Sequence, residues 1–157
     1  MIKYLCMDVD GTLTDGKIYM SSNGEMVKAF NIKDGYGIRN ILNKYELIPI
    51  IITGRKSDIV TERCKELNVT EIYQNIFDKL QLLYKIIKDL SMIAYIGDDL
   101  NDLKCMQCIK ESGGIIGCPA DAVDEVRDIA DFVSPYKGGE GAVRSFIEWI
   151  VKNKENI

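Results

Sequence analysis

The chain contains no histidine. That absence removes Ser-His-Asp hydrolysis, Cys-His proteolysis and histidine-ligated zinc from consideration. Acid–base chemistry near neutral pH must then fall to carboxylates or lysine, and a carboxylate nucleophile beside a hard, oxygen-liganded cation fits that restriction. Cysteines are few and odd in number, at five. Cys6 lies in an apolar strand and Cys64, Cys105 and Cys108 in helical stretches, so they read as reduced structural thiols. The single C-x-x-C, Cys105 to Cys108, has neither a second pair nor a histidine to complete a metal site. No apolar run approaches membrane-spanning length, and no leader with a basic region, an apolar stretch and a cleavage site opens the chain. A cytoplasmic protein with no membrane partner is expected. Basic excess is also missing: 24 Asp and Glu face 20 Lys and Arg, for a net charge of −4 and a pI near 4.9. Nucleic acid and anionic membrane surfaces are poor partners for such a chain. There is no internal repeat, low-complexity segment or linker. The 157 residues, 46% hydrophobic and 28% charged, fit one globular domain spanning 1–157 with a sizeable core.

What is present centres on Asp8-Val9-Asp10-Gly11-Thr12-Leu13-Thr14-Asp15-Gly16. It follows a short apolar run, Ile2 to Met7, that reads as a buried strand. Two carboxylates two residues apart at a strand's end point the same way. If the chain bends just after Asp8, one can act as nucleophile and the other as a nearby acid and base. Gly11 permits a sharp turn and close approach to a ligand. Ligands in open α/β sheets bind beyond the carboxyl ends of strands, where this motif lies. Taken alone, D-x-D-G is equally an Asp-rich turn.

The remaining chain alternates strands and helices. Lys17 to Phe30 carries Asn23-Gly24 between two strand-like runs and predicts a hairpin. Its position just past the motif suggests a flap over the site, over about 17–30. Ile18, Met20, Val27 and Phe30 give it apolar surface that a monomer would struggle to bury, so subunit contact is expected. Helical spacing then predicts helices over 35–46, 56–67, 78–90, 100–110, 121–128 and 140–152, and strands over 48–52, 72–73, 92–96, 114–117 and 131–133. The expected architecture is α/β, a Rossmann-like parallel sheet with helices on both faces.

Three later stretches extend the first motif: Ile50-Ile51-Ile52-Thr53-Gly54-Arg55, Asp78-Lys79-Leu80, and Ala94-Tyr95-Ile96-Gly97-Asp98-Asp99-Leu100-Asn101-Asp102. Strand-Asp, strand-Thr, Lys and strand-Asp-Asp in that order resembles the haloacid dehalogenase (HAD) superfamily of phosphohydrolases. Asn31-Ile32-Lys33-Asp34-Gly35-Tyr36-Gly37-Ile38-Arg39 and Gly138-Gly139-Glu140-Gly141-Ala142-Val143-Arg144 are similar to its capless branch, which includes 3-deoxy-D-manno-octulosonate 8-phosphate (Kdo-8-phosphate) phosphatase. The match covers roughly residues 4–150. The gaps between motifs are too short for a cap domain, so the site is either open to large substrates or closed by a neighbouring subunit.

The resemblance implies a Mg²⁺-dependent phosphatase. Asp8 would attack phosphorus and form an aspartyl-phosphate, and Asp10 would protonate the leaving alcohol and then deprotonate water. Asp8 and Asp98 carboxylates and the Asp10 backbone carbonyl would hold Mg²⁺, with Asp99 and Asp102 orienting waters around it. A bland alternative for 98–102 is an acidic helix cap. Thr53 would hydrogen-bond a phosphoryl oxygen, Gly54 would keep the approach open, and Lys79 would neutralise developing charge. The substrate pocket implied is Asp10, Asn31, Ile32, Lys33, Asp34, Gly35, Arg39, Gly54, Arg55, Arg63 and Lys79, arginine being suited to a carboxylate's bidentate geometry. The implied partner is a 2-keto-3-deoxy sugar acid phosphate and the implied assembly a homotetramer through the flap. Alternatives are a nine-carbon nonulosonate 9-phosphate as substrate, or a non-catalytic tetramerisation module. Many members carry a longer, glycine-containing tail; this chain ends at Lys154-Glu155-Asn156-Ile157, so product release or tetramer contacts are expected to differ.

Overall fold

A computed structural model describes residues 1–153. Six parallel strands form the main sheet: β1 (Tyr4–Met7), β4 (Ile48–Ile52), β5 (Glu71–Tyr73), β6 (Ile93–Ile96), β7 (Ile115–Cys118) and β8 (Phe132–Val133). Their order is β5-β4-β1-β6-β7-β8, and every pairing is parallel. A separate antiparallel pair, β2 (Tyr19–Ser21) and β3 (Gly24–Val27), makes the hairpin. Among the described residues there is no cap domain.

Alternation along the strands builds two cores, because successive side chains point to opposite faces. Leu5, Met7, Ile51, Ala94 and Ile96 face one side. There they meet Val60 and Cys64 of α3 (Asp58–Glu66) and Val143, Phe146, Ile147 and Ile150 of α7 (Ala142–Lys152). Cys6, Ile50, Ile52, Ile93 and Tyr95 face the other. Their partners are Leu80 and Leu83 of α4 (Lys79–Ile86), Cys105, Met106 and Ile109 of α5 (Leu100–Glu111), and Val126 of α6 (Asp124–Ile129). Both faces are thus covered, as a parallel sheet requires. Phe146 is fully buried and stacks on Phe132 and Trp149 at centroid distances of 5.7 and 6.1 Å.

Several element limits differ from the sequence reading. The first helical segment starts at Ile32 rather than 35. Asn31 caps it by accepting a hydrogen bond from the Lys33 amide, and it runs through α1 (Ile32–Tyr36), a π-helical turn (Gly37–Ile41) and α2 (Leu42–Lys44). Glycines at 35 and 37, poor helix formers, obscured that early start. α4 stops at Ile86: Ile87 is extended, and Leu90 sits in a separate 3₁₀ turn capped by Asp89, yet both remain buried. The hairpin turns on Ser22-Asn23, with Gly24 at φ +111° opening β3, one residue earlier than an Asn-Gly-centred turn. The terminal residues 154–157, where the shorter tail was noted, lie outside the described residues.

Candidate active site

The three central strands deliver the chemistry. Met7 is in register with Ile51 on one side and Ile96 on the other, so Asp8, Thr53 and Asp98 emerge at one edge. The Asp8 amide continues the ladder by donating to the Ile96 carbonyl at 3.1 Å. Beyond it the chain folds tightly, with the Val9 carbonyl accepting from the amides of Thr12, Leu13 and Thr14. Gly11 sits at φ +96°, and a Cβ there would lie 1.9 Å from Asp98 Oδ2. Only glycine lets the turn and the Asp98 carboxylate come this close. The loop at 138–139 supports the turn from behind: a Cβ on Gly138 would lie 1.8 Å from the Gly11 carbonyl oxygen, and the Gly139 amide donates to Thr12 O at 3.2 Å.

Beneath the turn lies a buried charged chain. Lys79, the first residue of α4, donates to Asp8 Oδ1 and Asp102 Oδ1, each at 2.6 Å. The fully buried Tyr95 hydroxyl donates to the same Asp102 oxygen at 2.7 Å. The other Asp102 oxygen accepts from the amides of Asp98 and Asp99, at 3.1 and 3.4 Å. Asp98 accepts from Thr12 Oγ1 at 3.0 Å. Burial, then the charge of Asp102, pushes the Asp8 carboxyl up to about 6, against the pull of Lys79. Burial, then Asp8 and Asp102, pushes Asp98 up to about 8. Burial opposes the Lys79 charge, but Asp8 and Asp102 outweigh it and hold the ammonium above its ordinary range.

Three carboxylates and one buried cation leave a local excess of negative charge. Asp8, Asp98 and Asp102 each offer an oxygen within 4.8 Å of the others. Both oxygens of Asp102 are already bonded, which leaves Asp8 and Asp98 as the pair able to share a cation. An all-oxygen donor set of this kind suits a hard divalent ion, and the missing Cβ of Gly11 lets the turn that carries Asp10 close down onto the Asp98 carboxylate. The residues present therefore fit such an ion.

The outer residues divide into two groups. Thr53 is buried, accepts from the Arg55 amide at 3.3 Å and lies at the catalytic edge, with Gly54 beside it. Arg55 is exposed, with its guanidinium 4.0 Å from Asp10. By contrast, among the described residues Asn31, Ile32, Lys33, Asp34, Gly35, Arg39 and Arg63 make no hydrogen bond or ion pair with Asp8, Asp10, Thr53, Lys79 or Asp98. Arg63 pairs with Glu66 at 3.0 Å, lies over the Phe30 ring and packs on Gly35. Arg39 donates to the Glu66 carbonyl. Asp34 is buried and accepts from the Arg144 amide at 2.7 Å, anchoring the start of α7; burial holds its carboxyl above the ordinary value. Asp99 is exposed and caps α5 in a capping box with Asp102. Asp102, expected to orient waters, bonds Lys79 and the amides of Asp98 and Asp99.

Residues not singled out from sequence also converge. Lys28 pairs with Asp10 and with Glu25, the latter at 2.8 Å, and Glu25 accepts from Ser57 Oγ at 2.5 Å. Thr12 and Tyr95 complete the inner layer. An apolar strand hides a catalytic-layer tyrosine, and a lone lysine in a hairpin reads as solvated.

A parallel sheet carrying a paired-aspartate turn, a buried lysine and an acidic turn on its central strand ends defines a HAD-type hydrolase. No protein-family model matches the chain. It is 41% identical over 154 residues to the 3-deoxy-D-manno-octulosonate 8-phosphate phosphatase of Escherichia coli K12, covering 96% of this chain and 79% of that protein. The Moraxella catarrhalis enzyme of that name, solved with magnesium ion, phosphate ion and a KDO molecule, matches with a TM-score of 0.89 and 40% identity, covering 99% of this chain and 88% of that one. The cobalt-bound Haemophilus influenzae phosphatase matches with a TM-score of 0.90 at 31% identity, covering 98% and 90%. The chain belongs to the 3-deoxy-D-manno-octulosonate 8-phosphate phosphatase family. Among the described residues, no helix is long and apolar enough to cross a membrane.

Proposed function

We propose that the protein is a phosphomonoester hydrolase acting on a 2-keto-3-deoxy sugar acid phosphate, Kdo-8-phosphate above others, as one catalytic domain in the cytoplasm. The observation that carries this reading is Lys79 bridging Asp8 and Asp102 at 2.6 Å, beside Asp98, at the end of β1. That arrangement supplies a carboxylate nucleophile held in a fixed pose by a buried cation.

Asp8 attacks phosphorus in line with the leaving oxygen. A P–O bond to Asp8 forms as the ester P–O bond breaks, and Asp10 gives its proton to the departing alcohol. Asp10 then takes a proton from water as that water attacks phosphorus, and the Asp8–phosphorus link breaks to release phosphate. Lys79 offsets charge on Asp8 and on the phosphoryl oxygens throughout. Thr53 supplies a hydroxyl to a phosphoryl oxygen. Mg²⁺ would be held by the Asp8 and Asp98 carboxylates and the Asp10 backbone carbonyl; when bound it neutralises the phosphate and lets both carboxylates ionise. Arg55, exposed at the mouth beside Asp10, is the group best placed to hold the substrate's carboxylate.

Assembly follows from the hairpin. Ile18, Met20 and Val27 are exposed on it as expected, with Tyr19 and Met26 beside them, whereas Phe30 packs against the chain's own core; the exposed set suits burial against other copies in a homotetramer. Phosphate release from Kdo-8-phosphate and from a nonulosonate 9-phosphate, measured side by side with Mg²⁺, tests the assignment. Preference for the eight-carbon ester supports it; preference for the nine-carbon ester overturns the substrate and leaves the chemistry. Release from neither ester, with tight self-association, makes the chain an assembly module.

A further inference from the structure

Lys28 follows β3 at the base of the hairpin, and its side chain is 1% exposed. Its ammonium contacts the Asp10 carboxylate and, at 2.8 Å, the Glu25 carboxylate. Glu25 in turn accepts from Ser57 Oγ, and Ser57 caps the start of α3. Arg55 closes the ring, 4.0 Å from Asp10 and 3.8 Å from Glu25. Two carboxylates and two cations therefore balance in a closed ring joining the hairpin, the catalytic turn and α3. A lysine buried this fully is uncommon, and its desolvation is offset only by close carboxylate partners. Truncating either side leaves the other uncompensated.

The geometry points to Lys28 as a positioning residue for Asp10. It fixes the carboxylate that moves the proton, and it makes that placement depend on how the hairpin is seated. This rests on the phosphatase reading above. Of Asp10's oxygens, one is held by Lys28 and the other faces Arg55, so the carboxylate cannot rotate freely. Without Lys28 the proton donor loses its fixed orientation, while the nucleophile Asp8, held separately by Lys79, keeps its own.

The two half-reactions then respond differently to the leaving group. An alkoxide needs the proton from Asp10 as the ester bond breaks. An aryloxide such as p-nitrophenolate leaves without it. Attack of water on the aspartyl-phosphate needs Asp10 as base whichever ester was used.

Rapid-quench kinetics on native protein, Lys28→Met and Glu25→Gln, with a sugar acid phosphate and p-nitrophenyl phosphate, separates these steps. In Lys28→Met, turnover of the alkyl ester falls about 100-fold, the size of a general-acid contribution. KM moves less than turnover, because Arg55, the group assigned to the substrate's carboxylate, is retained. The aryl ester still gives a fast burst of about one equivalent of p-nitrophenolate, followed by slow turnover limited by the second step. Glu25→Gln, which keeps both Lys28 and Asp10, shows the same pattern in weaker form and carries the test if Lys28→Met does not fold. A burst slowed as much as alkyl-ester turnover, or no loss in either, overturns the positioning role. Native protein that hydrolyses neither ester overturns the phosphatase reading itself, before any variant is made.

Discussion

Raising the pH in the absence of divalent cation is predicted to destabilise the protein, because the folded state keeps protons on carboxyls that the unfolded chain gives up. Asp98 is pushed up to about 8 and Asp8 up to about 6, against an ordinary aspartate value near 3.8. A carboxyl whose folded value is raised favours folding at low pH, and that contribution is lost as pH rises through the folded value. The folded state binds more protons than the unfolded state across this window, so stability falls with pH. Between pH 6 and pH 8 the two carboxyls together amount to about 2–3 kcal/mol, most of it from Asp98 whose folded value lies higher in the window. For a chain of this length that corresponds to a fall in Tm of roughly 5–10 °C. The assay is thermal unfolding at pH 6, 7 and 8, in chelator and in excess Mg²⁺. Chelated protein loses Tm steadily over the range, whereas Mg²⁺ shrinks the loss and raises Tm more at pH 8 than at pH 6. A chelated Tm that is flat or rising from pH 6 to pH 8 would refute the crowding of carboxylates on which the metal site rests.

Other substitutions test separate parts of the account. Gly11→Ala places a methyl 1.9 Å from Asp98 Oδ2 at a φ of +96°, so turnover should fall at least about 100-fold and the Mg²⁺-dependent Tm rise should vanish; steady-state rates and melting curves read both. Tyr95→Phe removes one of the bonds to Asp102 while Lys79 and two amides remain, so stability should fall by about 1–2 kcal/mol in urea titration with Asp8 chemistry retained. Phe146→Ala opens a cavity beside Phe132 and Trp149, at a cost of about 3–5 kcal/mol by the same titration.

The sheet was legible because its strands announce themselves twice, as apolar runs and as the places where chemistry begins. Leu5 and Met7 facing one core and Cys6 the other is a simple consequence of strand period, and the same holds for Ile50, Ile51 and Ile52. Asp8, Thr53, Lys79 and Asp98 were grouped by the resemblance of their motif order to the HAD superfamily, and in the fold each sits at or just past an element's boundary. Helix limits were less legible where burial continued past the hydrogen bonds: Ile87 and Leu90 point inward from an extended residue and a 3₁₀ turn. The outer shell was hidden for a different reason. Lys28 meets Asp10 only because the hairpin folds back 18 residues later, and Thr12 reaches Asp98 across 86. Arg39 and Arg63 have the residue type that binds a carboxylate; within the chain Arg63 pairs with the Glu66 carboxylate and Arg39 donates to the Glu66 backbone carbonyl. Asp102 looked like its acidic neighbours in the sequence, and only the fold shows it buried with four donors on its two oxygens.

The most direct test of the central claim is to quench turning-over protein with borohydride, which reduces an aspartyl-phosphate to homoserine, and to map the product by peptide mass. Conversion at Asp8, dependent on substrate and Mg²⁺ and absent in Asp8→Asn, is the result the account predicts. Phosphate release with no conversion at Asp8, or conversion at Asp10 or Asp98 instead, would contradict it.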